Sequence, residues 1–246
     1  MLGDRTSGET ELANEIARSA LVLLCGYFEG FVRELTQEAV DRINDEEVDV
    51  NSLPKTLLVS LVETALKSTG DKRTEALSVL RDRIKSGEPC ALDRKGLSTT
   101  GGNPTVDVIE GLLGTFGIAS IIDSLSIRDY ELDSTYTVEP QSKAIEAAIA
   151  NALGDEARDS VSRVLEIVDA KWLPKKRRRS VGYVSAIEEL LKRRNRIAHG
   201  EGREIVTPSE LREHAAVIGK LAAGMSEAMD ALIDDLVPAP SEGLGA

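Results

Sequence analysis

The sequence Ile187-Glu-Glu-Leu-Leu-Lys-Arg-Arg-Asn-Arg-Ile-Ala-His-Gly200 predicts a helix around which the rest of the chain is organised. Ile187, Leu190 and Leu191 form one apolar stripe at helical spacing, and two acid–base pairs four residues apart, acid first, support the same helix. A glycine directly after the last helical residue is the usual left-handed cap. We therefore expect the helix to end near Gly200, with a second glycine two residues later reinforcing the break.

The end of this helix carries a histidine, an arginine and an asparagine that can act together. His199 lies in the last helical turn, where the helix dipole favours a cation. Arg194 precedes it by five residues, or about 140° around the helix, so both side chains reach one cleft only if that cleft wraps the helix end. Asn195 lies on the same face as His199, where its side chain can hydrogen-bond the imidazole and set the tautomer.

The string Arg194-Asn195-Arg196-Ile197-Ala198-His199 resembles the signature of the HEPN superfamily, in which an Arg, often followed by Asn, precedes a His by a short interval. Residues 21–35 and 102–118 look like the first long helix and the middle helix of the HEPN-like nuclease group related to RiboL-PSP-HEPN proteins. The three stretches span most of residues 12–235 in the family's order. The resemblance implies an all-α, up-and-down helical bundle of HEPN type with additional middle helices.

The resemblance also implies a metal-independent endoribonuclease that needs no cofactor and leaves a 2′,3′-cyclic phosphate and a 5′-hydroxyl. Such cleavage needs a base for the 2′-hydroxyl, an acid for the leaving 5′-oxygen and a cation for the charge on phosphorus. Histidine suits the proton transfers because its unperturbed pKa of about 6.5 lies near working pH, and the arginine fork suits phosphate. We predict His199 as general acid/base, Arg194 on the scissile phosphate and Asn195 as the residue that orients the histidine.

The histidine count predicts a homodimer. The chain has two histidines, so an acid and a base within one chain would have to include His214 as well as His199. His214 has no motif around it, and we interpret it as a surface or boundary residue. Two copies related by a two-fold axis would supply two Arg194 and two His199 to one groove. The resemblance implies the same, because HEPN ribonucleases are described as building their cleft from two such motifs.

The distribution of charge predicts an RNA partner. A net charge of −12 at first argues against one. Residues 171–203, however, carry 11 Lys and Arg against three Glu, a local balance of +8 that can attract a polyanion. The cations predicted to follow the RNA backbone are Lys175, Lys176, Arg177, Arg178, Arg179, Arg193 and Arg196.

The sequence is also compatible with two functions other than that of a nuclease. A non-catalytic HEPN module would bind RNA or a protein partner through the same basic strip. In an ordinary helical interaction domain, Arg194 would pair with a glutamate and His199 would complete the helix end. By analogy with the family, the catalytic protein would be a toxin or defence effector that an antitoxin or another regulatory protein holds in check.

Composition favours packed helices in a reducing compartment. Aromatic residues make up only 3% of the chain, which suits helix-on-helix packing better than a sheet. Cys25 and Cys90 are too few for a disulfide framework or a cysteine-based metal site. No apolar run approaches about 18 residues and residues 1–11 are polar, so we expect a soluble, cytoplasmic protein with no membrane partner.

Apolar residues recur at helical spacing along most of the chain. Helices are predicted over residues 10–44, 52–68, 71–87, 103–117, 142–153, 155–172, 180–199 and 207–232. The predicted N-caps are Ser52 (or Asn51), Asn103, Ser180 and Thr207, the last with a capping box to Glu210.

Other segments are expected to be irregular. Residues 118–138 permit a strand or a helix, and residues 175–179 are predicted to be an exposed connection because five consecutive cations repel each other. One domain is expected over residues 10–236, with a disordered lead-in at 1–9 and a disordered tail at 237–246.

Overall fold

The computed structural model describes residues 3–138, 176–200 and 204–237, which form an all-α bundle with one small sheet. The helices predicted at 142–153 and 155–172, the side chain of Lys175 and the tail beyond Val237 lie outside the described residues. The helices are α1 (Gly3–Asp45), α2 (Lys55–Lys67), α3 (Asp71–Ser86), α4 (Val106–Thr115), α5 (Ile121–Tyr130), α6 (Gly182–Ala198) and α7 (Pro208–Leu236). The strands are β1 (Tyr136–Val138) and β2 (Lys176–Arg178), and short 3-10 turns cover Val50–Ser52 and Gly96–Ser98.

The core lies where α6 and α7 pack on α1. Leu21 and Phe28 of α1, Leu190 of α6, and Leu221 and Met225 of α7 are each at most 3% exposed. Burying a large apolar side chain stabilises a fold by roughly 1.5–3 kcal/mol, so this three-helix contact supplies much of the stability. The predicted bundle, with these three helices at its centre and the middle helices around them, is confirmed.

Two contacts set the direction of α6 against α1. The Cys25 thiol of α1 lies 3.9 Å from the carbonyl oxygen of Leu190. Farther along the chain, the Val206 N–H donates to Asn14 Oδ1 at 2.8 Å. Because the contact on α1 moves toward its N-terminus as the chain advances from 190 to 206, α6 runs antiparallel to α1. The C-terminal end of α6 therefore lies beside the part of α1 between Asn14 and Cys25.

Helix α1 begins at Gly3, earlier than Thr10, so residues 3–9 of the predicted disordered lead-in are helical. This segment contains no proline, and a single glycine such as Gly8 costs a helix only about 1 kcal/mol. The helix can therefore extend beyond its apolar stretch.

None of the described helices combines the length and the apolar character needed to cross a lipid bilayer.

Two predicted caps in the middle of the chain are wrong. Ser52 lies in a 3-10 turn and Pro54 is the N-cap of α2. The N-cap of α4 is Thr105, whose Oγ1 accepts from the Val108 N–H at 3.3 Å, rather than Asn103. A proline directly after the cap is accepted in a helix, so the local sequence does not distinguish Asn103 from Thr105, and in the structure it is the Thr105 hydroxyl that accepts from the N–H three residues on.

Helix α3 agrees with its predicted bounds, and Gly87 closes it in the left-handed conformation at φ 74°. Its buried face is narrow. Leu80 is buried, whereas Ile84, four residues later on the same side of the helix, is 39% exposed. Among the described elements α3 packs mainly on α2, so the far edge of its apolar face stays open to solvent.

Residues 118–138 contain both a helix, α5, and a strand, β1. Strand β1 pairs antiparallel with β2, with Tyr136 opposite Arg178 and Thr137 opposite Arg177. The predicted exposed connection at 175–179 is therefore wrong for residues 176–178. The pairing is possible because side chains alternate across a strand. Arg177 turns to solvent while Arg178 reaches carboxylates of α4 and α5.

The start of α6 is capped by another helix rather than by Ser180. Val181 is the N-cap residue, and the Tyr183 N–H donates to Ser126 Oγ of α5 at 3.0 Å. Gly182 has φ 58°, and a Cβ on it would lie 2.8 Å from the Ser126 Cβ. Glycine is therefore required at this close approach of α6 to α5.

The start of α7 has the predicted capping box. Thr207 Oγ1 accepts from the Glu210 N–H at 3.2 Å, and Glu210 Oε2 accepts from the Thr207 N–H at 2.8 Å. Pro208 occupies the first helical turn, where a missing N–H costs nothing. Local sequence was sufficient for this prediction because both partners lie within four residues.

Candidate active site at the end of helix α6

Helix α6 ends where the sequence predicted. His199 is the C-cap residue, at φ −86° and ψ −2°, and its N–H donates to the Asn195 carbonyl at 2.9 Å. Gly200 follows at φ 67°, the left-handed conformation that stops the helix. The imidazole of His199 is exposed to solvent. The site thus presents a solvent-exposed histidine beside the free carbonyls of a helix terminus.

Arg194 lies half-buried on the side of α6 toward α1. Its Nη1 donates to Asn195 Oδ1 at 3.0 Å, and within the described residues no carboxylate pairs with it. Its charge reaches Cys25 of α1: burial raises the pKa of that thiol to about 11, and Arg194 opposes the rise. The guanidinium therefore keeps its positive charge uncompensated by an ion pair in this part of the chain.

The side chain of Asn195 hydrogen-bonds Arg194 in the structure. The sequence predicted that it would hydrogen-bond the imidazole of His199, but its Oδ1 accepts from Arg194. The link between Asn195 and His199 is the main-chain hydrogen bond at the helix end. Asn195 is placed to set the position of the guanidinium, which is a different role from orienting the histidine.

Arg193 and Arg196, both predicted to contact RNA, form internal ion pairs. Arg193 is 7% exposed; its Nε donates to Glu204 Oε1 at 3.0 Å and its Nη2 to the Ile205 carbonyl at 2.8 Å. Arg196 pairs with the other oxygen of Glu204 at 3.1 Å. Because Glu204 and Glu210 together offset these two charges, Arg193 is unavailable to a phosphate and Arg196 is only partly available.

Arg178 is likewise held inside the fold. Its Nη2 donates to Asp123 Oδ2 at 2.9 Å, and its guanidinium carbon lies 5.5 Å from the centre of the Tyr136 ring. Burial and the Asp123 charge raise the pKa of the nearby Glu110, and Arg178 offsets part of that rise. Arg178 therefore serves to neutralise two carboxylates that α4 and α5 bring together.

The remaining members of the predicted basic strip are exposed where the structure describes them. Arg177 lies on the outer face of β2, and Arg179 follows the strand with its Nη1 3.4 Å from the Ser134 carbonyl. The side chains of Lys175 and Lys176 lie outside the described residues. Of the strip, Arg177 and Arg179 are the described cations open to a phosphate.

His214 lies on α7 beside Arg193 of α6. It is half-buried, as expected of a boundary histidine, with its Nε2 3.4 Å from Arg193 Nη1. Because arginine can only donate, this nitrogen acts as the acceptor. Both residues line a cleft of about 510 Å³ between α6 and α7 that also contains Glu189 and Glu213. This cleft was not predictable from the sequence, because residues from separate segments of the chain line it.

Glu29 of α1 contacts the loop that precedes α4. In the structure its Oε1 accepts from Thr100 Oγ1 at 2.9 Å, which ties α1 to the loop before α4. No group of three or more His, Cys, Asp or Glu side chains suited to a metal ion occurs among the described residues.

Comparison with known proteins identifies the family. A search of curated proteins and a search of solved structures return no match. A family model described as RiboL-PSP-HEPN matches residues 2–231, nearly the whole chain. The match includes α1, α6 and most of α7, as well as the string from Arg194 to His199 at the end of α6. The chain therefore belongs to the RiboL-PSP-HEPN family.

Proposed function

We propose that this protein is a metal-independent endoribonuclease in which His199 and Arg194 of two copies act on one phosphate. The observation that carries the proposal is the contrast among the arginines of α6. Arg193 and Arg196 are paired with Glu204, whereas Arg194 has no carboxylate partner among the described residues and lies on the helix whose end exposes His199. A guanidinium without a counterion is suited to a phosphate.

The chemistry requires two proton transfers. His199 of one copy takes the proton of the 2′-hydroxyl, which attacks phosphorus, and His199 of the second copy protonates the departing 5′-oxygen. Arg194 stabilises the charge that develops on the phosphate oxygens. The products are a 2′,3′-cyclic phosphate and a 5′-hydroxyl. Two copies are needed because His214, the other histidine of the chain, lies beside Arg193 in the cleft between α6 and α7.

Asn195 and the exposed arginines support this site without entering the reaction. Asn195 fixes the guanidinium of Arg194 through the hydrogen bond at 3.0 Å. Arg177 and Arg179, with Lys175 and Lys176, bind the RNA backbone away from the scissile bond. Cutting RNA would harm the cell that makes the enzyme, so its role as a toxin or defence effector requires an antitoxin or another regulatory protein.

The second candidate function is binding of RNA without cleavage. It is favoured by the exposure of Arg177 and Arg179 on the outer face of the β1–β2 sheet, which would bind a phosphate chain whether or not the histidine reacts. A protein partner could use the same surface.

One set of variants separates the two functions. Wild type, His199→Ala, Arg194→Ala and His214→Gln are incubated with single-stranded RNA in EDTA, and both the products and the binding are measured. A nuclease of the proposed type cuts in wild type and in His214→Gln, and loses on the order of a hundredfold or more in rate in the other two variants. Intact RNA with every protein, together with binding that weakens in a further variant, Arg177→Ala, would assign the second function. Equal cutting by wild type and His199→Ala would show a contaminating nuclease and end the proposal.

A further inference from the structure

The N-terminal half of α1 presents a line of large apolar side chains to solvent. Leu12, Ile16, Leu23 and Tyr27, which we call the α1 stripe, are 62, 61, 57 and 73% exposed. At about 100° per residue they lie within a band roughly 60° wide, on the side of the helix opposite Cys25, which contacts α6. Single exposed apolar residues are ordinary, but a continuous line of four indicates a surface that another molecule covers.

Two glycines beside the α1 stripe indicate that the covering element approaches closely. A Cβ built on Gly26 or Gly30 would have no other atom within 4 Å. Glycine is disfavoured in a helix interior relative to alanine, and nothing packed on α1 within the described chain requires it at either position. A missing side chain on a helix surface allows a second backbone to come near. The neighbour that the stripe accommodates is therefore a closely packed element such as a helix.

The spacing of the α1 stripe is the same in both directions along the helix. Leu12 and Tyr27 are equally distant from the midpoint between residues 19 and 20, and so are Ile16 and Leu23. If an antiparallel copy of α1 is placed with a two-fold axis at that midpoint, Leu12 meets Tyr27 of the second copy and Ile16 meets Leu23, each contact occurring twice. Such self-complementarity is the requirement for an isologous contact.

The same arrangement places small residues where the two helices would be closest. Ser19 lies opposite Ala20 of the second copy, and Gly26 lies opposite Ala13. All four have at most two heavy side-chain atoms, so along about 20 Å of helix they leave room for the larger side chains of the two stripes to pack. In this arrangement the second copy fills the open space over Gly26, which the described part of a single chain leaves empty.

We propose that the α1 stripe binds the α1 stripe of a second copy of this chain, antiparallel, across a two-fold axis between Ser19 and Ala20. The contact is distinct from the two-copy RNA site proposed above, because the stripe faces away from α6. It rests on exposure and spacing alone, so it is tested without RNA, and its failure leaves the nuclease proposal standing.

The test exploits the fact that Ile16 and Leu23 meet each other across the axis. Association is measured by analytical ultracentrifugation for wild type, Ile16→Lys, Leu23→Glu and the double variant. Each single variant places an unpaired charge against an apolar side chain twice, so the dissociation constant should rise on the order of a hundredfold and the mass should fall by half. The double variant forms two Lys–Glu pairs and should recover most of the association.

Controls separate folding from association. Val59→Glu changes an equally exposed apolar residue on α2 and should leave the mass unchanged. Gly26→Ala should raise the melting temperature of the dissociated chain, because alanine favours helix, while weakening association by filling the contact. Circular dichroism confirms that every variant keeps its helices.

Three results would overturn the proposal. Single variants with the mass of wild type would show that copies do not associate through the stripe. A folded double variant that stays dissociated would assign the stripe to another protein or to a segment of this chain such as residues 139–175. Association unchanged by Gly26→Ala would exclude the close antiparallel approach.

Discussion

Arg193 Nε donates to Glu204 Oε1 at 3.0 Å, and this ion pair connects the last turns of α6 to the segment that returns toward α7. Arg193 also donates to the Ile205 carbonyl and approaches Glu210, the residue that closes the capping box of α7. Its neighbour Arg194 makes none of these contacts and instead lies against Asn195. Of these two adjacent arginines, Arg193 thus stabilises the fold, and Arg194 carries a charge that is available to a ligand.

This difference between Arg193 and Arg194 predicts unequal losses of stability for two substitutions. Arg193→Ala should lower the free energy of unfolding by about 3 kcal/mol, the low end of the usual cost of breaking a buried ion pair, because Arg196 still contacts Glu204. The melting temperature should fall by roughly 6–12 °C. Arg194→Ala should stay within about 1 kcal/mol of wild type. Thermal unfolding followed by circular dichroism measures both, and equal melting temperatures for the two variants would contradict the assignment.

The bounds of α6 and the cap of α7 were predictable because their determinants are local. Gly200 stops α6, and Thr207 and Glu210 form a capping box within four residues. The roles of Arg193 and Arg194 were not predictable, since the two side chains are identical in type. Only the position of Glu204, eleven residues from Arg193, separates them.

Strand β2 was not predicted, because the partners of its charged side chains are also distant in the sequence. Five consecutive cations indicate an exposed segment when they are considered alone. In the structure Arg178 reaches Asp123, 55 residues away, and Asp107, 71 residues away. One of the five cations, Arg178, is thus neutralised by carboxylates that only the fold brings near. The Ser180 cap was predicted wrongly for the same reason, because the hydroxyl that accepts from the first turn of α6 belongs to Ser126 of α5.

The close approach of α6 to α5 predicts that Gly182 cannot be replaced. Gly182→Ala should cost at least about 1–2 kcal/mol, because the residue has φ 58° and its new Cβ would lie 2.8 Å from Ser126. Gly111→Ala is the matched control. Gly111 lies inside α4 with nothing within 4 Å of a Cβ, so this substitution should stabilise by about 0.5–1 kcal/mol. Urea unfolding of the two variants gives both values, and a neutral Gly182→Ala would refute the close packing.

The capping box of α7 predicts an acid-dependent loss of stability. Hydrogen bonds from Thr207, with a smaller contribution from Arg193, hold the pKa of Glu210 below its ordinary value of 4.5. The stabilisation is therefore fully present above pH 4.5 and is lost as pH falls through the lowered pKa of the folded state. Glu210→Gln should melt below wild type at pH 7 and coincide with it once Glu210 is protonated.

A second variant separates the contribution of the Glu210 charge from that of the Thr207 hydroxyl. Thr207→Ala removes the N-cap and should cost about 1 kcal/mol at pH 7. Its N–H can still donate to Glu210, so part of the acid dependence should remain. Melting curves collected between pH 7 and pH 3 give both comparisons. A difference between Glu210→Gln and wild type that does not vary with pH would show that the carboxylate charge contributes nothing.

The contact between α1 and α6 predicts an unreactive thiol. Burial raises the pKa of Cys25 to about 11, and Arg194 limits that rise. At pH 8 roughly one molecule in a thousand then carries the thiolate, so alkylation of Cys25 in a Cys90→Ser background should be slow until the chain unfolds. Arg194→Ala should slow alkylation further between pH 9 and pH 10, because it removes the charge that favours the thiolate. Arg212→Ala, an exposed arginine on α7, makes the same change in net charge and should leave the rate unaltered. If the two variants react at the same rate, Arg194 does not lie beside Cys25.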